Sequence, residues 1–83
     1  MSEPSIKLEL KAYILDRFLP EEDLERLTDS TPLVTSGLLD SLSIAELVGR
    51  LEERYGITIA AHEIGVANFD SVEWIAAFVQ SKL

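Results

Sequence analysis

Eighty-three residues, 47% apolar and 27% charged, supply apolar side chains for one small core and too little chain for a second. Fifteen Asp and Glu against seven Lys and Arg leave a net charge of −8, a balance that repels the phosphates of nucleic acid and anionic lipid and suits partners with basic patches. No apolar run approaches the roughly 20 residues of a membrane span, Met1-Ser2-Glu3-Pro4 lacks the features of a secretory leader, and the absence of cysteine excludes a disulfide framework; a cytoplasmic protein that binds neither nucleic acid nor membrane is expected.

The first predicted helix runs from Ser5 to about Leu19. Ile6, Leu10, Ile14 and Phe18 recur at i, i+4 with Tyr13 beside them, and Leu8, Leu15 and Leu19 widen the apolar stripe, so cover on more than one side is expected. Pro20 stops it, because proline disfavours helical backbone in the residue before it. Residues 20–40 read as a long loop with at most one helical turn near Glu21-Glu22-Asp23, pinned to the core by Leu24, Leu27, Leu33 and Val34. A loop of this length in a small domain is commonly functional.

The clearest element is a helix from Ser41 to Tyr55, with Ile44, Leu47, Val48, Leu51 and Tyr55 on one face. Asp40, Ser41 and Ser43 are candidate N-caps, Ser43 with Glu46 fits a capping box, and Gly56 stands where a left-handed C-cap would sit. Ile57-Thr58-Ile59 reads as extended linker with its isoleucines in the core. A short helical piece over Ala61–Val66 is weakened by Gly65. The last helix starts at Asp70 or Ser71, with Asp70–Glu73 as capping box, Phe69–Trp74 at staple spacing, Val72, Ile75, Phe78 and Val79 buried, and Lys82 at the negative end of its dipole. The expected fold is all-α, an antiparallel four-helix bundle with three longer helices, one short helix and a long first loop.

Self-contained catalysis finds few parts here. His62 is the sole histidine, and no H-E-x-x-H pair, glycine-rich phosphate loop, calcium loop or spaced metal-ligand set occurs. His62-Glu63 is a lone adjacent pair, and the carboxylate runs Glu21-Glu22-Asp23 and Glu52-Glu53 suit a solvated surface, since raising a carboxylate pKa takes burial. No catalytic or metal-binding residue is expected, and the chain reads as a binding or carrier module. The remaining constellation is Gly37-Leu38-Leu39-Asp40-Ser41-Leu42, where loop meets helix. Ser41 puts a hydroxyl at a helix N-terminus, where unpaired amides and the dipole favour an anion such as a phosphate ester. The alternative is that Asp40, Ser41 and Ser43 only cap the helix, and spacing alone leaves both readings open.

That hexapeptide, followed by Ala45-Glu46-Leu47-Val48, Leu51-Glu52-Glu53-Arg54-Tyr55-Gly56-Ile57, Ile59 and Asn68-Phe69-Asp70-Ser71-Val72, resembles the acyl carrier protein family over nearly the whole chain. The resemblance implies a single carrier-type domain over residues 1–83, with Ser41 as the attachment point of 4′-phosphopantetheine, donated from coenzyme A by a phosphopantetheinyl transferase. It implies transferase recognition by Asp40, an exposed apolar partner contact at Leu42, and acidic partner contacts at Glu46, Glu52 and Glu53. The absence of cysteine agrees, because the arm brings its own thiol. Further partners implied are an acyl- or aminoacyl-activating ligase and downstream acyl-processing enzymes, met through small transient interfaces by a monomer that is not itself an enzyme.

Several positions depart from fatty-acid-synthesis carriers. Ser43 stands where an acid is common, Gly49 where a larger apolar side chain is common and Ala60 where proline is frequent, while Arg50 and Arg54 interrupt the acidity of the helix. The wording is similar to stand-alone carriers of specialised fatty acid, polyketide or related pathways, and also to aminoacyl, D-alanyl and peptidyl carriers of the kind used in nonribosomal peptide synthesis. An acidic helical adaptor of the same fold that is never modified is the alternative of another class.

Overall fold

A computed structural model describes residues 3–18 and 27–83. Helix α1 spans Glu3–Arg17, starting two residues before the predicted boundary because proline is tolerated in a first turn. Ile6, Leu10, Ile14 and Leu15 are buried, and Tyr13 and Phe18 pack edge-on with ring centres 5.7 Å apart. Leu8 departs from the predicted stripe: two residues on from Ile6 it points roughly 200° around the helix and is 64% exposed. Leu19, Pro20, Leu24 and the predicted helical turn at 21–23 lie outside the described residues. Leu27 and Leu33 are buried and Val34 half-buried, so these three pin the loop as expected, joined by Leu39, which the pattern did not single out.

Helix α2 occupies Ser41–Tyr55, the predicted span. Leu47, Val48 and Leu51 are buried, with Ile44 and Tyr55 half-buried against the core. Gly56 closes it at φ 66°, ψ 32°, its N–H donating to the Glu52 carbonyl, the left-handed cap that glycine adopts without Cβ strain. Arg17 at the end of α1 pairs with Glu46 near the start of α2 at 3.1 Å, and Glu9 in α1 meets Arg54 at 2.7 Å and the Tyr55 hydroxyl at 2.5 Å. The two helices are therefore antiparallel.

Ile57 and Ile59 enter the core from extended linker, as their alternation predicts. The predicted helix over 61–66 is instead two pieces, a 3₁₀ turn at Ala61–Glu63 and α3 at Val66–Phe69, with Gly65 in extended backbone between them. Helix α4 spans Val72–Lys82, capped by Ser71, whose Oγ accepts the Trp74 N–H at 3.1 Å. That cap corrects two expectations. Asp70 and Glu73 form no capping box, and the staple positions move to Asp70 and Ile75, so Phe69 turns fully inward against Phe78, with ring centres 5.7 Å apart, while Trp74 is 49% exposed. Val72, Ile75, Ala76 and Val79 are buried. Lys82 ties the end of α4 to the linker, donating to Glu63 Oε1 at 2.7 Å and the Thr58 carbonyl at 3.0 Å. The described residues make an all-α bundle of three longer helices and one short one.

Candidate functional site

The junction singled out by sequence is a closed turn feeding directly into α2. Gly37 takes φ 82°, a left-handed conformation natural to glycine, and donates to the Val34 carbonyl at 3.1 Å. The Leu39 N–H donates to the Leu33 carbonyl at 2.9 Å, and the Ser36 hydroxyl to the Pro32 carbonyl at 2.5 Å. Leu33 and Leu39 plug both ends of this turn into the core. The next two residues are Asp40 and Ser41.

Asp40 is the N-cap of α2. Its Oδ1 accepts the Ser43 N–H at 2.8 Å, and that amide holds the Asp40 carboxyl below its ordinary range. Ser43 is therefore a capped residue and not the cap, and its predicted capping box with Glu46 is replaced by the Glu46–Arg17 pair. Ser41 is the first residue of the helix proper, exposed to solvent. Its hydroxyl is not needed for capping and has no partner among the described residues. The anion favoured by the helix dipole is the side chain of Asp40, leaving Ser41 Oγ free to be substituted by an incoming group.

Around this serine, Leu42 is 71% and Leu38 39% exposed, which puts two apolar side chains in solvent on either side of Asp40 and Ser41. The three glutamates fall into different settings. Glu46 is exposed and paired with Arg17; Glu52 is half-buried, its Oε2 accepting the Ile59 N–H at 2.9 Å; Glu53 is exposed and has no partner among the described residues. His62 is exposed, while its neighbour Glu63 accepts the Ala60 N–H and Lys82. Among the described residues no group of His, Cys, Asp and Glu could hold a metal ion.

Beyond the junction, α1 and α2 leave an open groove of about 420 Å³ lined by Leu10, Tyr13, Leu47 and Leu51 together with Glu9 and Arg50. The Arg50 guanidinium lies 5.5 Å over the Tyr13 ring, a cation–π contact. One residue that sequence reasoning placed elsewhere is Asp70. Its carboxylate crosses to the turn before α2, accepting the N–H groups of Val34 and Thr35 at 2.9 Å each. No local signal marks a partner 35 positions away.

The family model described as "Phosphopantetheine attachment site" matches residues 14–79. The chain is 44% identical over 66 residues to the lincomycin biosynthesis protein LmbN of Streptomyces lincolnensis, a match covering 80% of this chain and 24% of that protein. It is thus similar to about a quarter of LmbN. It is 35% identical over 68 residues to the probable acyl carrier protein PigG of Serratia sp. (strain ATCC 39006), covering 82% of this chain and 77% of PigG. Among solved structures, a chain in one described as "Crystal structure of FAD-dependent dehydrogenase" superposes with a TM-score of 0.74 at 34% identity, covering 84% of this chain and 97% of that one.

Proposed function

From the premise that this chain belongs to the phosphopantetheine-attachment family, we propose that Ser41 carries the arm and that residues 1–83 act as one acyl carrier domain. The chain is a carrier protein whose prosthetic group is phosphopantetheine, and carrier proteins work with phosphopantetheinyl transferases and acyl-processing enzymes. When bound, the arm supplies a thiol that holds cargo as a thioester, an activated acyl donor. The observation that carries the assignment to Ser41 is the division of labour at the helix start. Asp40 caps α2 and Ser41 presents an exposed hydroxyl with no intramolecular partner among the described residues.

In this reading Asp40 also meets the transferase, Leu42 offers it an apolar contact, and exposed Glu46 and Glu53 meet basic partner surfaces. Glu52, committed to the Ile59 amide, contributes negative field more than direct contact. The chain performs no catalysis of its own, and a specialised biosynthetic pathway fits the names of LmbN and PigG. The match filling 97% of a chain from a dehydrogenase crystal leaves that chain no room for a separate dinucleotide-binding fold, which supports a flavin-dependent dehydrogenase among the enzymes such a carrier serves.

Intact-protein mass after incubation with coenzyme A, magnesium and a broad-specificity phosphopantetheinyl transferase tests the assignment. One added phosphopantetheinyl group on the wild type and none on Ser41→Ala is expected, with the variant still folded because Asp40 retains the cap. An unchanged wild-type mass under conditions that load a control carrier would leave the unmodified adaptor as the better reading.

A further inference from the structure

Among the described residues, the hydrogen bonds that hold the turn presenting Ser41 from outside all go to Asp70. Asp70 closes α3, its N–H donating to the Val66 carbonyl at 3.2 Å, and from that position engages three successive residues of the turn. Its carbonyl accepts the Leu33 N–H at 2.6 Å, and its Oδ1 accepts the N–H groups of Val34 and Thr35 at 2.9 Å. The Thr35 hydroxyl adds contacts to Oδ1 at 3.2 Å and Oδ2 at 3.1 Å. From there the turn closes on itself through Leu39 to Leu33, and Leu39 is bonded in sequence to Asp40 and Ser41. A continuous path of hydrogen bonds and short chain therefore runs from the α3–α4 junction to the serine.

We propose that Asp70 is a positioning residue for the modification of Ser41, clamping the turn at 33–39 so that the serine is presented to the transferase in one geometry. The inference rests on the assignment of Ser41 given above. Main-chain bonding to Leu33 survives any substitution at Asp70, but the carboxylate contacts to Val34 and Thr35 do not. Without them the turn keeps its leucine plugs and loses its outer tether, so the presenting geometry becomes one among several. A partner that binds only the presenting geometry then sees a reduced effective concentration, and its apparent affinity falls by the fraction remaining. The loss belongs in KM and not in kcat, because the serine, once seated, is unchanged.

The experiment compares wild type, Asp70→Ala, Asp70→Asn, Thr35→Val and Ser41→Ala as transferase substrates, with initial rates read by intact mass and folding checked by circular dichroism. Emission from Trp74, the only tryptophan in the chain, reports the surroundings of Asp70, since the two line one pocket with Ser71 and Ser30. Asp70→Ala is expected to raise KM about tenfold with kcat held and to shift the emission. Asp70→Asn, which keeps an oxygen for both amides, should fall between, and Thr35→Val should show a smaller rise. A folded Asp70→Ala with wild-type KM, or one losing only kcat, overturns the clamp while leaving Ser41 in place. Should Asp70→Ala fail to fold, wild-type KM in both Asp70→Asn and Thr35→Val overturns it equally. A wild type that is never loaded, or a Ser41→Ala that is, removes the Ser41 assignment and this inference together.

Discussion

Tyr55 illustrates how much one side chain does in a protein this small. Its hydroxyl donates to Glu9 across the α1–α2 interface, and Arg54 approaches the same carboxylate at 2.7 Å. The Tyr55 hydroxyl and then Arg54 hold the Glu9 carboxyl below its ordinary range. Burial first, and the bond to Glu9 second, push the Tyr55 phenol up to about 12 from 10.0. A folded-state pKa raised above the unfolded one contributes stability that is complete below about pH 10 and is lost as pH rises through about 12. Tyr55→Phe is expected to cost about 1 kcal/mol at neutral pH and to remove the Tyr55 phenol ionisation from the ultraviolet titration. An ionisation of Tyr55 near its ordinary value would show that neither its burial nor its bond to Glu9 is kept in solution. None of this was legible locally, since Glu9 and Tyr55 stand 46 positions apart.

Among the elements, the ends of α2 are set by local groups and the α3–α4 junction is not, and the difference is physical. Both ends of α2 are fixed by groups inside the helix or next to it, Asp40 on the Ser43 amide and Gly56 in left-handed backbone. At α4 the sequence offered Asp70 and Ser71 as competing caps, and the choice fell to Ser71 because the Asp70 carboxylate is engaged by a loop that approaches from elsewhere. Asp29 marks the same meeting of elements, paired with Lys11 at 2.5 Å and Lys7 at 3.5 Å from α1, while its carbonyl accepts the Glu73 N–H of α4 at 3.0 Å. Ser71→Ala should therefore lower stability by about 1 kcal/mol, as loss of an N-cap does, and Ser71→Thr, which keeps a hydroxyl at this buried position, should restore most of it. Urea denaturation of the three proteins checks this; equal midpoints for wild type and Ser71→Ala would mean that Asp70 can take over the cap.

For the whole molecule, charge sets the terms. Eight excess negative charges sit on a body with a radius of gyration of 11.5 Å, about one screening length in 0.1 M salt. Five ion pairs are formed among the described residues, but partly exposed pairs contribute only about 0–1 kcal/mol each and oppose a repulsion felt by every carboxylate. Raising monovalent salt from about 0.01 to 0.15 M, where the screening length falls from about 30 to 8 Å, is therefore expected to raise the melting temperature by a few degrees. A melting temperature that drops over this range would show that the ion pairs outweigh the repulsion. The same excess of acid favours partners with basic surfaces, while Arg50, with no ion pair among the described residues, breaks that field midway along α2.

Periodicity, caps and turn chemistry alone determined the all-α class, the buried face and C-terminal end of α2, the extended isoleucine linker and the Asp40–Ser43 cluster from which the second helix starts. These depend on interactions within a few residues, and such interactions are written in the order of the chain. Resemblance added the prosthetic group, on motifs equally local. Only the tertiary structure decided that Leu8 stays in solvent, that Glu52 is spent on a backbone amide and that Asp70 leaves its own helix to hold the turn before Ser41. Each of those outcomes is a competition among partners for one polar group or one patch of apolar cover, and the competitors are neighbours only after the chain has folded.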